Sequence, residues 1–409
     1  MAKKQERQFV VGLDIGTSKV VAIIGEINAH DQIEIIGVGS HASEGLKRGV
    51  VVNIESTVNS ISSAVEQAEM MAGCEVKSVY TGIAGSHIKS FNSHGIVAIK
   101  EHEVTQADID RVIDAAKAVA VPADQRILHI LPQEFIIDNQ SGIRDPIGMS
   151  GVRLEAKVHM VTGAVSAAQN IVNCVQRRGL DVLDIILQPL ASSHAVLNED
   201  EKELGVCLVD IGGGTTDIAV FTQGAIRHSA VVPIAGDQAT NDIAVALRTP
   251  VHAAELVKRQ FACLKPALTN GDAHIEIPGF SDRPGQQIAK KYVSEVITAR
   301  YEELFELIQQ RLVKEGFADQ LSAGIVLTGG GASVPGALAL AESVFKMPVR
   351  LGEPKSVEGA PEVITNPALA TGIGLLLYAK QQQDMGGVRL SSSKSGLFSK
   401  MRQWFQTSW

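Results

Sequence analysis

Three short glycine-bearing turns hold the residues of this 409-residue chain best suited to a charged ligand. The first reads Asp14-Ile15-Gly16-Thr17-Ser18-Lys19. Gly16 lets the backbone approach a phosphate, the hydroxyls of Thr17 and Ser18 can donate to it, and Lys19 adds positive charge. Asp14, at the end of an apolar run, can hold a metal ion through water. The second turn is Asp210-Ile211-Gly212-Gly213-Gly214-Thr215-Thr216-Asp217. Its three glycines form a nest of backbone N–H groups for an anion, flanked by the Thr215 and Thr216 hydroxyls, and Asp210 faces the metal from the other side. The third, Thr328-Gly329-Gly330-Gly331-Ala332, precedes Pro335-Gly336 and offers bare backbone on which a flat base and ribose can lie. One glycine turn alone is usually only a turn. Three, with acids at two strand ends, point to a nucleoside phosphate. The chain has no G-x-x-x-x-G-K-[ST], so the site is not a Walker P-loop.

These turns need strands and helices to hold them. Apolar runs at Phe9–Gly16, Lys19–Ile27 and Glu34–Ser40 read as strands, followed by a helix with Ile54, Val58, Ile61, Val65 and Ala68 on one face. Asn53 is its expected N-cap and Gly73 its stop. Strands follow at Ser78–Ile83 and His94–Ile99, and Thr105-Gln106-Ala107-Asp108 opens a helix expected to reach Ala120. A helix over Ala164–Arg178 ends at Gly179. The second half repeats the first: Gly205–Gly212, Thr215–Gln223 and Ala225–Pro233 are strands, and Asp-Ile-Gly recurs at 14 and 210. A long helix with Ile288, Tyr292, Val296, Leu304, Ile308 and Leu312 on its apolar face precedes the strand Gly324–Thr328, and Asn366-Pro367 opens the last core helix. The fold class expected is α/β: two duplicated domains with a nucleotide cleft between them, each carrying an inserted segment. The boundaries expected are 1–83 with 163–197 for the first core, 84–162 for its insertion, 198–234 with 316–380 for the second core, and 235–315 for the second insertion. Residues 381–396 read as a flexible linker rich in Gln, Gly and Ser.

The net charge of −8 argues against nucleic acid as a partner. Residues 385–409 nevertheless carry four basic side chains and no acid, which leaves −12 on the rest. Within 397–409, Leu397, Phe398, Met401, Trp404, Phe405 and Trp409 fall in an arc of roughly 140° on a helical wheel. Lys400 and Arg402 flank that arc, where they can reach lipid phosphates. Both tryptophans of the chain lie here, a residue type that favours membrane interfaces. An amphipathic helix on anionic lipid is the expected reading, with docking on the protein's own body as the alternative. The N-terminal run Phe9–Leu13 is too short for a secretion signal and Ala368–Ala379 too short for a bilayer span, so a cytoplasmic location is expected. The cysteines at 74, 174, 207 and 263 have no metal-ligand spacing and read as reduced thiols.

The three turns resemble the phosphate 1, phosphate 2 and adenosine motifs of the actin, sugar kinase and heat-shock chaperone superfamily. That resemblance implies ATP with Mg2+ between two ribonuclease-H-like domains, a helix beginning at Gly236 near the ribose, and ribose and adenine contacts from Glu255 and Lys258. It places Gln188 where relatives carry a water-orienting residue, as an alternative to a polar residue at a strand end. Leu131-Pro132-Gln133-Glu134, Gly148-Met149-Ser150-Gly151-Val152, Leu190-Ala191-Ser192-Ser193 and Ala323–Gly330 extend the likeness, so that the chain resembles the FtsA family of bacterial actin-like cell division proteins. The family resemblance implies filament formation, a membrane anchor, recruitment of later division proteins by residues 84–162, and capture of the FtsZ C-terminal peptide by the second insertion. Lys290, Lys291 and Arg300 are the peptide-contacting residues it implies. An actin-fold small-molecule kinase and a pilus-platform protein are the competing readings.

Overall fold

The computed structural model describes residues 8–265, 273–279 and 285–389. The first core opens with three antiparallel neighbours, β1 (Phe9–Ile15), β2 (Lys19–Ile27) and β3 (Ile33–Ala42). Helix α1 (Ile54–Ala72) follows, with the Asn53 side chain accepting from the Ser56 N–H and Gly73 left-handed at φ 65°. Such an N-cap contributes about 1 kcal/mol. Next come β4 (Ser78–Ile83) and an inserted unit of β5 (Lys89–Ala98), α2 (Gln106–Lys117), β6 (Gln125–Ile137), β7 (Gln140–Ile143) and β8 (Arg153–Ala164). Helix α3 (Val165–Arg177), β9 (Asp181–Leu187) and α4 (Gln188–Val196) complete this half.

The second half runs through β10 (Val206–Ile211), β11 (Thr216–Thr222), β12 (Ala225–Val232), α5 (Gly236–Leu247), α6 (Val251–Phe261) and α7 (Lys290–Lys314). It continues through β13 (Gly324–Thr328), α8 (Ala337–Phe345), β14 (Val349–Leu351), β15 (Val357–Glu358) and α9 (Ala370–Arg389). Sheet order carries the duplication. The first sheet reads β3-β2-β1-β4-β9 and the second β12-β11-β10-β13-β14. In both, the first three strands are antiparallel and the last two join in parallel. Strand β15 adds to the β3 edge of the first sheet. The inserted unit is a separate four-stranded sheet, β5-β8-β6-β7. It leans on β12: Ser90 Oγ donates to Ser229 O at 2.8 Å, and Gln133 Nε2 to Ile226 O at 2.8 Å.

Apolar faces explain the layering. Leu13, Val20 and Ile24 pack with Ile61 and Val65 of α1 and Ile171 of α3. Val209 and Ile211 pack with Ile297, Tyr301 and Phe305 of α7 and Phe345 of α8. Between the sheets lie α4 and α9, where Val196, Ile373 and Leu376 join Val10, Ile23 and Leu208. This middle layer is tight enough that a Cβ on Gly374 would fall 1.9 Å from Ala191 O, and one on Gly12 2.7 Å from Gly372 O.

Some expectations change. Helix α2 stops at Lys117 rather than Ala120. The Asp108 carboxylate still accepts from the Thr105 N–H at 3.0 Å and hydroxyl at 2.7 Å. In the second insertion, Ile288 belongs to a strand, Gln286–Ala289, and Tyr292 is 44% exposed. The buried stripe of α7 is Val293, Ile297, Tyr301, Leu304, Phe305, Ile308 and Leu312. Reading the helix from Ile288 set its first turns out of phase. Helix α9 also extends into the expected linker, to Arg389. Lys380 pairs there with Asp31 at 2.6 Å and Asp384 at 2.9 Å, and Gln8 Nε2 donates to Gln383 Oε1 at 2.6 Å. The rest of the linker and the amphipathic segment 397–409 lie outside the described residues.

Candidate nucleotide site

The ends of β1, β10 and β13 open into one cleft of about 440 Å³ between the two cores. Asp14, Gly16, Thr17, Ser18 and Lys19 line it from the first core. Asp210, Gly212, Gly213, Gly214, Thr215, Gly236, Glu255, Lys258, Gly329, Gly330 and Gly331 line it from the second, and Gln188 from the crossing helix α4. Two expected residues do not reach it. Thr216 is fully buried, and its hydroxyl donates to Ile234 O at 2.7 Å. Side chains alternate as the chain enters β11, so Thr215, just before the strand, and Asp217 face the cleft and Thr216 faces away. Ala332 turns its methyl into the second core, leaving only its glycine neighbours at the cleft.

The two phosphate turns abut. A Cβ on Gly213 would meet Ser18 Cβ at 2.7 Å, and one on Gly214 would meet Thr17 Oγ1 at 2.7 Å. The Gly49 N–H donates to Thr17 Oγ1 at 2.9 Å, fixing that hydroxyl from behind. Helix α5 fastens the second turn, since the N–H groups of Gly236 and Asp237 donate to Gly212 O at 3.1 Å and Gly213 O at 2.8 Å. In the third turn Gly329 has φ 82°, and a Cβ there would fall 2.3 Å from Asp210 Oδ1. Only glycine fits that position.

The acids at the cleft floor are held by α4 and α9. Gln188 Nε2 donates to Asp14 Oδ1 at 2.9 Å. Ser192 Oγ donates to Asp210 Oδ2 at 2.6 Å, and Thr371 Oγ1 to the same oxygen at 3.3 Å. Burial pushes the Asp14 carboxyl up to about 7, with Lys19 opposing and Asp210 reinforcing the rise. Burial raises Asp210 as well, against the pull of Ser192, Thr371 and Lys19. Asp217 rises to about 8 through burial and the charge of Asp210. Its Oδ2 accepts from Thr215 at 3.1 Å, while its buried Oδ1 has no partner among the described residues. Three crowded carboxyls and one orphaned oxygen suit a divalent cation held through water and phosphate oxygens. A protein cage is not the arrangement: among the described residues no group of three or more His, Cys, Asp or Glu could hold a metal ion by itself. Magnesium keeps several waters and prefers such mixed shells.

Asp217, Gly49, Thr371 and Arg259 also line the cleft and were not singled out from sequence. Asp217 was legible, since strand alternation favours it over Thr216. Elsewhere, Arg300 is pinned by Asp242 of α5 at 2.5 and 2.9 Å and also pairs with Glu303. Lys290 Nζ stands 5.7 Å from the Phe261 ring, and Lys291 pairs with Glu295 at 3.7 Å. The four cysteines form no disulfide with one another.

Comparison with known proteins settles the family. A model described as "Cell division protein FtsA" matches residues 207–374, and one described as "SHS2 domain inserted in FTSA" matches 85–162. Cell division protein FtsA of Pseudomonas aeruginosa is 57% identical, covering 99% of both chains. The chain belongs to the FtsA family. FtsA of Neisseria meningitidis serogroup B is 47% identical, over 99% of this chain and all of that one. The segment matched as the FtsA insert is the β5–β8 unit with α2. The actin-like fold of FtsA is evident in solved structures too. A chain of a PilM-PilN type IV pilus biogenesis complex aligns at TM-score 0.66 and 17% identity, covering 91% of this chain and 98% of that one. MreB5 of Spiroplasma citri bound to AMPPNP aligns at 0.56 and 14%, covering 92% and 98%. At those identities the likeness is one of fold. The kinase and pilus-platform readings give way to membership of the FtsA family of cell division proteins.

Proposed function

We propose that this chain binds ATP with Mg2+ in the cleft, polymerises on the cytoplasmic face of the bacterial plasma membrane at the division site, and tethers the FtsZ ring there. The observation that carries this reading is the apposition of two glycine turns, Gly16–Lys19 and Gly212–Thr215, with Asp14 and Asp210 beneath them. Backbone N–H groups of both turns, the hydroxyls of Thr17, Ser18 and Thr215, and the Lys19 ammonium bind and orient the phosphates. Asp14, Asp210 and Asp217 are the residues to hold the cation through water. When bound, Mg2+ neutralises phosphate charge. The MreB5 neighbour bound to AMPPNP lends support by analogy of fold. Gln188 donates its amide nitrogen to Asp14, and its oxygen is the group to align a water for at most slow ATP hydrolysis.

Polymer and membrane belong to one design. Among the described residues no helix is long and apolar enough to cross a membrane. Residues 397–409 supply a peripheral anchor instead, with Lys400 and Arg402 each favoured by about 1 kcal/mol near anionic lipid. A single short helix binds reversibly, and a filament multiplies it. Residues 84–162 take filament contacts and later division proteins. The second insertion receives the FtsZ C-terminal peptide through Lys290, Lys291 and Arg300, the last by exchanging Asp242 for a peptide carboxylate.

Co-sedimentation with anionic vesicles tests the anchor. With ATP the chain should pellet, and Trp404→Glu should leave most of it in the supernatant, because a charge on the apolar face opposes insertion. Equal pelleting of both proteins would remove the anchor from the reading.

A further inference from the structure

We propose that Arg259, rather than Lys258, is the cation with which the second inserted segment grips the phosphates of the bound nucleotide. This rests on the reading of the cleft as a nucleoside-phosphate site.

Donor counting carries the inference. A lysine ammonium has three N–H donors. Those of Lys258 meet Gly236 O at 3.0 Å, Thr240 Oγ1 at 2.7 Å and Glu255 Oε2 at 2.6 Å, and its side chain is 12% exposed. Nothing remains to offer a ligand. Lys258 is a post that fixes the start of α5 to α6 and thereby sets Gly236 beneath the second phosphate turn. Glu255 is tied into the same network: Oε2 also accepts from Thr240 at 2.5 Å, and Oε1 accepts from Arg259 Nε at 2.8 Å.

Arg259 differs. Its guanidinium has five N–H donors in a fixed plane. Only Nε is used, so Glu255 fixes the plane while the four terminal N–H groups have no acceptor among the described residues. The side chain is 66% exposed and lines the cleft. Lys19 of the first core lines the same cleft, and its proton is held less tightly than usual. Burial is the largest cause; Asp14 and Asp210 oppose it, and the charge of Arg259 adds to it. Two cations, one from each half of the chain, line the same cleft as the glycine turns and repel each other. A polyphosphate between them turns that repulsion into two attractions, and a planar guanidinium can take two phosphate oxygens at once.

The test compares Arg259→Gln, Arg259→Lys and Lys258→Met with the wild type, using ADP by calorimetry and adenosine by saturation-transfer NMR. Arg259→Gln should melt as the wild type does without ligand, bind ADP about tenfold more weakly with a shallower salt dependence, and keep its adenosine signal. Arg259→Lys should recover part of the ADP affinity. Lys258→Met should melt lower with no ligand present, the mark of a structural post. Arg259→Gln binding ADP as tightly as the wild type, or losing adenosine in equal proportion, would overturn the assignment. A wild type that binds no nucleotide would instead sink the reading of the cleft itself.

Discussion

Gly214→Val should weaken nucleotide binding by about 100-fold or more while leaving the protein folded. The reason is local and geometric. A Cβ at 214 lies 2.7 Å from Thr17 Oγ1, 2.8 Å from Thr17 Cγ2 and 3.0 Å from the Arg48 Cα. Thr17 cannot rotate away freely, because its hydroxyl is held by the Gly49 N–H. The second phosphate turn must then withdraw from the first, and the donors of the two halves no longer converge on one phosphate chain. Misplacement of about 1 Å in a preorganised site costs on the order of 100-fold. Gly330→Ala makes the contrast: the nearest protein atom to its new methyl is Ala368 Cβ at 3.7 Å, an ordinary contact, so the two phosphate turns stay together and any loss of binding reads the third turn alone. Calorimetric titration with ADP should separate the two variants, and undiminished binding by Gly214→Val would contradict the abutting turns.

The largest loss of stability is expected from Gly374→Ala. The new methyl would fall 1.9 Å from Ala191 O and 2.4 Å from its carbonyl carbon, both backbone atoms of α4. No side-chain rotation relieves that, so α4 and α9 must separate. Overpacking of this kind costs about 1–3 kcal/mol, and more where backbone must move. The site should feel it as well. Gln188 and Ser192 ride on α4 and Thr371 on α9, and these three hold Asp14 and Asp210. A thermal melt should show a clear fall in midpoint, with weaker ADP binding in the protein that remains folded. A variant as stable as the wild type would mean that the two helices are not packed as described.

Much of this architecture can be read from the chain because local rules and tertiary packing agree. β1 and β10 are apolar runs that end in Asp-Ile-Gly, and α1 has its cap at Asn53 and its stop at Gly73. Where the reading failed, the missing information was long-range or rotational. Thr216 and Thr215 look alike chemically, but alternation sets them on opposite faces and the Thr216 hydroxyl is spent on Ile234 O. The early turns of α7 were read out of phase because Ile288 sits in a strand that no local signal separates from the helix. Lys258 and Arg259 are adjacent and both lie one turn beyond Glu255. Only the fold brings Gly236 and Thr240 to Lys258, using up its donors and leaving those of Arg259. Gly374 likewise looks like any glycine in an apolar helix until Ala191 is laid against it.

One nucleoside triphosphate should lie between the two halves of the duplication. A crystal structure of the chain grown with Mg2+ and a non-hydrolysable ATP analogue decides this. The expected result is a phosphate chain running between Gly16–Lys19 and Gly212–Thr215, with the cation's waters on Asp14 and Asp210. Density for the analogue elsewhere on the molecule, or a cleft empty at saturating ligand with Asp14 and Asp210 drawn apart, would contradict it.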